Sequence, residues 1–178
     1  MGDFVKGHQF EDYPNEVRNG ILLHRFIDSF TDEHPVSLAL RAELRAVCGR
    51  YAGIAVDMVY DYALATQWHL FSDQSLDDFA QQTYRTLRKH WDELPDRAQF
   101  LLHYMEKDNW LLGYQSLEGM ERSLQGMNRR MGGDTGLEEV GEWLVENYQP
   151  LVERFLVFFP EITNECHLKI RTFASAGY

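Results

Sequence analysis

The chain has 178 residues, enough for one domain or two very small ones. It carries 17 Lys+Arg against 28 Asp+Glu, a formal charge of −11, which argues against a general nucleic-acid binder. With 44% hydrophobic, 13% aromatic and 25% charged residues, it has the make-up of a folded globular domain and can build a sizeable core from its aromatics.

The chain order reads as helix after helix. Pro14 is placed to open a first helix over 14–31, and Asp32-Glu33-His34-Pro35 stops it. Further helices are predicted over 36–50 and 52–70. Ser75-Leu76-Asp77-Asp78 has the shape of a capping box, with Asp in place of Glu, and opens a helix to 91. Helices over 96–111 and 116–131 follow, then the loop Gly132-Gly133-Asp134-Thr135-Gly136. That loop lacks the lysine and the preceding strand of a phosphate loop, so it reads as a turn. A long helix over 137–158 should kink at Pro150, and Pro160 should open a terminal helix to 172. Hairpin signals are absent and no repeat is visible. The expectation is a single all-α domain, a helical bundle over 1–173, with a frayed tail at 174–178.

Two cysteines, Cys48 and Cys166, are too few for a disulfide scaffold. They are expected to be buried thiols in a reducing cytoplasm. The opening residues lack an apolar signal region, and no run is long enough to span a membrane.

Chemistry concentrates in the first third. On a helical projection with Val17 at zero, Ile21 falls at about 40°, His24 at about 340° and Asp28 at about 20°. A histidine and a carboxylate thus share a stripe with apolar residues. The other sides carry Leu22, Leu23, Phe26, Ile27 and Phe30. A helix apolar nearly all round is expected to be buried, and a buried aspartate needs a partner. In the third helix Asp57 and Asp61 are four apart, where like charges repel and ask for a cation, either an arginine or a metal. Any one of these residues is more often a core histidine, a cap or half an ion pair than a ligand. Asp3, His24, Asp28, Asp32, Asp57 and Asp61 together favour a divalent ion that prefers oxygen and imidazole, Mn²⁺, Mg²⁺ or Fe²⁺. His90, His103 and His167 lie on helix patterns without companions. Arg122, Arg129 and Arg130 form a basic cluster that reads either as a solvated helix end or as a docking patch.

The segments Gly2-Asp3-Phe4-Val5-Lys6-Gly7, His24-Arg25-Phe26-Ile27-Asp28-Ser29-Phe30-Thr31-Asp32 and Asp57-Met58-Val59-Tyr60-Asp61-Tyr62 resemble the bacterial acyl carrier protein phosphodiesterases. These are divergent all-α relatives of the HD metal-dependent phosphohydrolases. The resemblance implies an HD-like fold and hydrolysis of 4′-phosphopantetheine from holo-acyl carrier protein, with Mn²⁺ as cofactor and neither nucleic acid nor membrane as partner. It implies Asp3, His24, Asp28 and Asp61 as metal ligands. His24 is alternatively the general acid or base, Asp28 a catalytic companion, and Arg25 or Asp32 the residue that orients phosphate or water. Two departures stand out. The family's Asn-Phe-Leu-Ala-His-like opening is not in this sequence as written, and Tyr62 stands where many members have histidine. The expectation is therefore weak metal binding. A further tension is charge: carrier proteins are acidic, so a local basic patch must face the partner. Candidates are Arg18/Arg25, Arg41/Arg45/Arg50, Arg85/Arg88/Lys89 and Arg122/Arg129/Arg130. The alternatives are an HD-like phosphohydrolase of a small phosphoester or nucleotide, and a catalytically degenerate domain that binds carrier protein.

Overall fold

The computed structural model describes residues 4–175. Among them the regular structure is helical, without strands. The elements are α1 (Asn15–Glu33), α2 (Pro35–Cys48), α3 (Ala52–Thr66), α4 (Leu76–Lys89), α5 (Asp96–Lys107), the single turn α6 (Trp110–Gly113), α7 (Leu117–Arg130) and α8 (Val140–Ser175).

Local chemistry sets most of the ends. Pro14 precedes the first turn of α1. His34 ends α1 and caps α2, its Nδ1 accepting from the Val36 amide at 3.3 Å. Gly49 ends α2 in a left-handed conformation, φ 54°. The Ser75 hydroxyl accepts from the Asp78 amide at 3.1 Å and donates to the Asp78 carboxylate at 2.8 Å, so the short Asp closes the cap on the serine hydroxyl.

Four predicted boundaries are corrected. The third helix stops at Thr66, and 68–70 is a separate 3-10 turn. The helix expected over 96–111 breaks at Asn109, which takes φ 45°. Asn tolerates that conformation without a glycine or proline to announce it. The two expected C-terminal helices are one, and it runs on through residues 174 and 175, where a tail was expected. Its kink sits at Asn147, three residues ahead of Pro150, with φ −116° and ψ 15°. The Asn147 amide side chain donates to the Trp143 carbonyl at 2.9 Å, satisfying an acceptor the kink disturbs. Pro160 stays inside the helix, where its ring removes the bond to the Leu156 carbonyl without ending α8.

The main core joins α2, α3, α7 and α8. Leu40, Leu44, Ala55, Val59, Leu124, Leu144, Leu151 and Phe155 are essentially inaccessible to water. Tyr60 stacks on Phe158 at 4.7 Å and its hydroxyl meets Ser37 Oγ at 3.2 Å, so the one polar atom in this layer is satisfied. A satellite core holds Ala80 and Tyr84 of α4, Leu94, and Ala98 and Leu102 of α5, with Phe4 packed against it. Cys48 is buried and its thiol donates to the Leu44 carbonyl, while Cys166 is half-buried; both thiols are free, and burial pushes both upward in pKa. No helix among the described residues is long and apolar enough to cross a membrane.

Candidate functional site

The α1 stripe is buried at one end and open at the other. Ile21 is the only fully buried residue of α1, whereas the side chains of His24 and Asp28 are 36% and 56% exposed. The expectation of a buried α1 is thus corrected. The helix packs on α8 and α2, and the α8 face includes Lys169 over the Phe26 ring at 5.6 Å. His24 Nε2 lies 3.2 Å from Asp28 Oδ2, one turn apart. The predicted imidazole–carboxylate pair therefore meets, at a solvent-exposed surface.

Arg25, next to His24, faces the N-terminal segment. Its Nη2 donates to the Val5 carbonyl at 2.8 Å, and its guanidinium lies over the Phe10 ring at 5.1 Å. Val5 is 3% exposed, and Phe4 packs into the satellite core. Arg25 thus fastens the stretch that follows Asp3 to the turn carrying His24. Asp32 pairs with Arg41 instead of facing the His24 turn. Asp3 lies outside the described residues.

Asp57 and Asp61 sit on the exposed side of α3. Asp61 is reached by solvent, yet protein surrounds it on the longer scale and thins out the bulk water. That desolvation, followed by repulsion from Asp57, pushes its carboxyl up to about 7. Tyr114 is pushed upward by burial first and by Asp61 next, with its link to Ser123 acting the other way. Tyr62 packs edge-on against Tyr148 at 5.7 Å and is raised by burial and by that neighbour. Its phenol stays protonated and cannot serve as an imidazole would.

Among the described residues no three His, Cys, Asp or Glu side chains gather closely enough to hold a metal ion. His24 and Asp28 are brought together; Asp61 is not added to them. An imidazole and a carboxylate one turn apart have the donor chemistry that could hold a divalent cation. Elsewhere His90 ends α4 and meets Glu93 at 3.1 Å, and His103 lies edge-on to Tyr104 at 5.2 Å, so both have the companions the sequence pattern did not show. Arg122 in the α7 cluster pairs with Glu118 at 2.6 Å on an exposed face. Sequence reasoning missed His34, 8% exposed by side chain, whose Nε2 meets Glu161 at 3.1 Å and so ties the α1–α2 corner to α8. The signal was its place before Pro35.

A family model described as acyl carrier protein phosphodiesterase matches residues 1–162. Relatives carrying that name include one from Yersinia pestis, 32% identical over 170 residues that span 95% of this chain and 88% of the relative. One from Klebsiella pneumoniae subsp. pneumoniae is 31% identical over 163 residues, 91% of this chain and 84% of the relative. One from Serratia proteamaculans is 32% identical over 166 residues, 93% of this chain and 86% of the relative. No solved structure matches.

Proposed function

Since the chain belongs to the acyl carrier protein phosphodiesterase family, we propose that it hydrolyses the phosphodiester joining 4′-phosphopantetheine to a serine of holo-acyl carrier protein. The products are apo-carrier protein and 4′-phosphopantetheine. The family match over residues 1–162 carries this reading. The setting we assign is the cytoplasm, where carrier proteins serve fatty acid biosynthesis.

The reaction adds a water oxygen to phosphorus and breaks the bond from phosphorus to the serine oxygen. One proton leaves the water and one arrives on the serine. A divalent ion, Mn²⁺ with Mg²⁺ or Fe²⁺ as alternatives, when bound polarises a phosphoryl oxygen and acidifies a water. His24 and Asp28 would hold it, with Asp3, which the family resemblance implies as a ligand, as the third. Arg25 is a positioning residue for the segment that follows Asp3. Asp28 at 3.2 Å also fixes the orientation of the His24 ring.

The test is incubation of the purified chain with holo-carrier protein and Mn²⁺, followed by the intact mass of the carrier. Loss of the phosphopantetheine mass is the expected outcome. Cleavage of small phosphoesters alone would favour the broader phosphohydrolase reading. Complex formation without cleavage would favour a degenerate binder. A calorimetric titration showing tight, stoichiometric Mn²⁺ binding would overturn the weak binding expected from Tyr62.

A further inference from the structure

The outer face of α5 is not used by the chemistry above. Helical spacing puts Arg97, Phe100, Tyr104 and Lys107 within about 80° of one another. Phe100 is 67% exposed and lies against the half-open Tyr104, the rings tilted by 57° with 4.9 Å between centroids. The opposite side of the same helix is buried through Ala98 and Leu102. Two aromatics in water beside a helix that already has a buried side are the kind of residue that anchors interfaces.

The charges bracketing the pair are as informative. Arg97 and Lys107 are exposed and, among the described residues, make no ion pair. Arg88, Arg122 and Arg154 each have a carboxylate partner within 3 Å. On a chain of net charge −11, a stripe with two exposed rings and two cations outside any ion pair offers an acidic surface a contact that most of the chain does not.

We propose that this face of α5 docks the carrier protein, with Phe100 as the apolar anchor and Arg97 and Lys107 steering an acidic surface of the partner. The proposal rests on the reading that carrier protein is the substrate. It also joins the site by continuity. The inner side of α5 shares the satellite core with Phe4, and the next residue, Val5, is held by Arg25 beside His24.

The variants are Phe100→Ala and the double reversal Arg97→Glu/Lys107→Glu, both at exposed positions. The readouts are KM and kcat on holo-carrier protein, Tm, and direct binding of fluorescently labelled holo-carrier protein by anisotropy at low salt. We expect KM and the dissociation constant to rise about 10-fold or more, as for an interface anchor, with kcat and Tm within about twofold and a few degrees of the parent. The reversal variant should also lose most of the salt dependence of kcat/KM. Parent-like KM and binding in both variants overturn the proposal, as does an equal fall in kcat at unchanged KM. If the parent binds labelled carrier but does not cleave it, the proposed reaction falls while the binding arm still decides the docking face. If the parent does not bind it at all, the docking face falls. A parent dimer that Phe100→Ala dissociates assigns the face to a second copy of this chain and also overturns the proposal.

Discussion

Asp61→Asn should change how stability depends on pH. In the folded chain the Asp61 carboxyl is raised from 3.8 to about 7, so the folded state holds its proton more tightly than the unfolded one. The stability this gives is fully present below about 3.8, declines as pH rises, and is gone above about 7. Taken at face value, at roughly 1.4 kcal/mol per pH unit, the rise is worth roughly 4 kcal/mol. Solvent reaches this carboxylate and screens it, so the working figure is about 1–2 kcal/mol. Asparagine has the shape of the protonated acid and does not titrate. Urea unfolding followed by tryptophan fluorescence, in chelator and at fixed ionic strength, should show the stability of Asp61→Asn minus that of the parent growing by about 1–2 kcal/mol between about pH 4 and pH 8.5. Equal m-values are required for the comparison. Asp57→Asn should shrink the parent's decline, because the second cause of the raised pKa is repulsion from Asp57. Parallel pH curves for Asp61→Asn and the parent, or a difference that narrows with rising pH, would refute the reasoning.

Arg25→Met deletes a charge-assisted bond to the Val5 carbonyl at 2.8 Å and a contact over Phe10. It should cost about 1.5–3 kcal/mol and speed amide exchange across residues 4–10 at least tenfold, as mass spectrometry would show. Unchanged exchange there would deny the fastening role. Gly136→Ala places a Cβ at 2.6 Å from the Val47 carbonyl with φ at +72°, whereas Gly133→Ala, φ +80°, meets nothing. The first should destabilise by at least about 2–3 kcal/mol and the second by about 1 kcal/mol in chemical denaturation. His24→Ala should lower kcat/KM at least about 100-fold in Mn²⁺ and weaken Mn²⁺ binding by calorimetry. Its Tm should hardly move, since the side chain is 36% exposed.

The bundle was legible because its helices carry their own punctuation. Pro14, Pro35, Ser75, Ser116 and the glycines of 132–136 are local devices, and each acts where it stands. The missed features depend on surroundings. Asn109 breaks a helix that its composition would continue. Pro160 sits inside one that it would be expected to end. Neither outcome can be read from a window of neighbours, since local preference is a weak prior that tertiary context overrides.

The site shows the same division. The spacing of His24 and Asp28 was enough to place both on one turn, and they meet there. Spacing said nothing about burial, and the apolar composition of α1 pointed the wrong way. A stripe can be shut at Ile21 and open at Asp28 when a helix crosses its neighbours at an angle. Nor could spacing relate α1 to α3. Asp61 shares a projection with Asp57 and not with His24, so the set of Asp3, His24, Asp28 and Asp61 joined one local pair to two residues that spacing could not relate to it. Beside His24, the residue that reaches out of its own helix is Arg25, twenty positions back to Val5. That link makes the environment of His24 depend on the N-terminal segment. Ion binding at His24 and Asp28 should therefore be coupled to the order of that segment. Mn²⁺ should slow amide exchange across residues 4–10 in the parent and much less in Arg25→Met. Equal protection in both chains would dissolve the coupling.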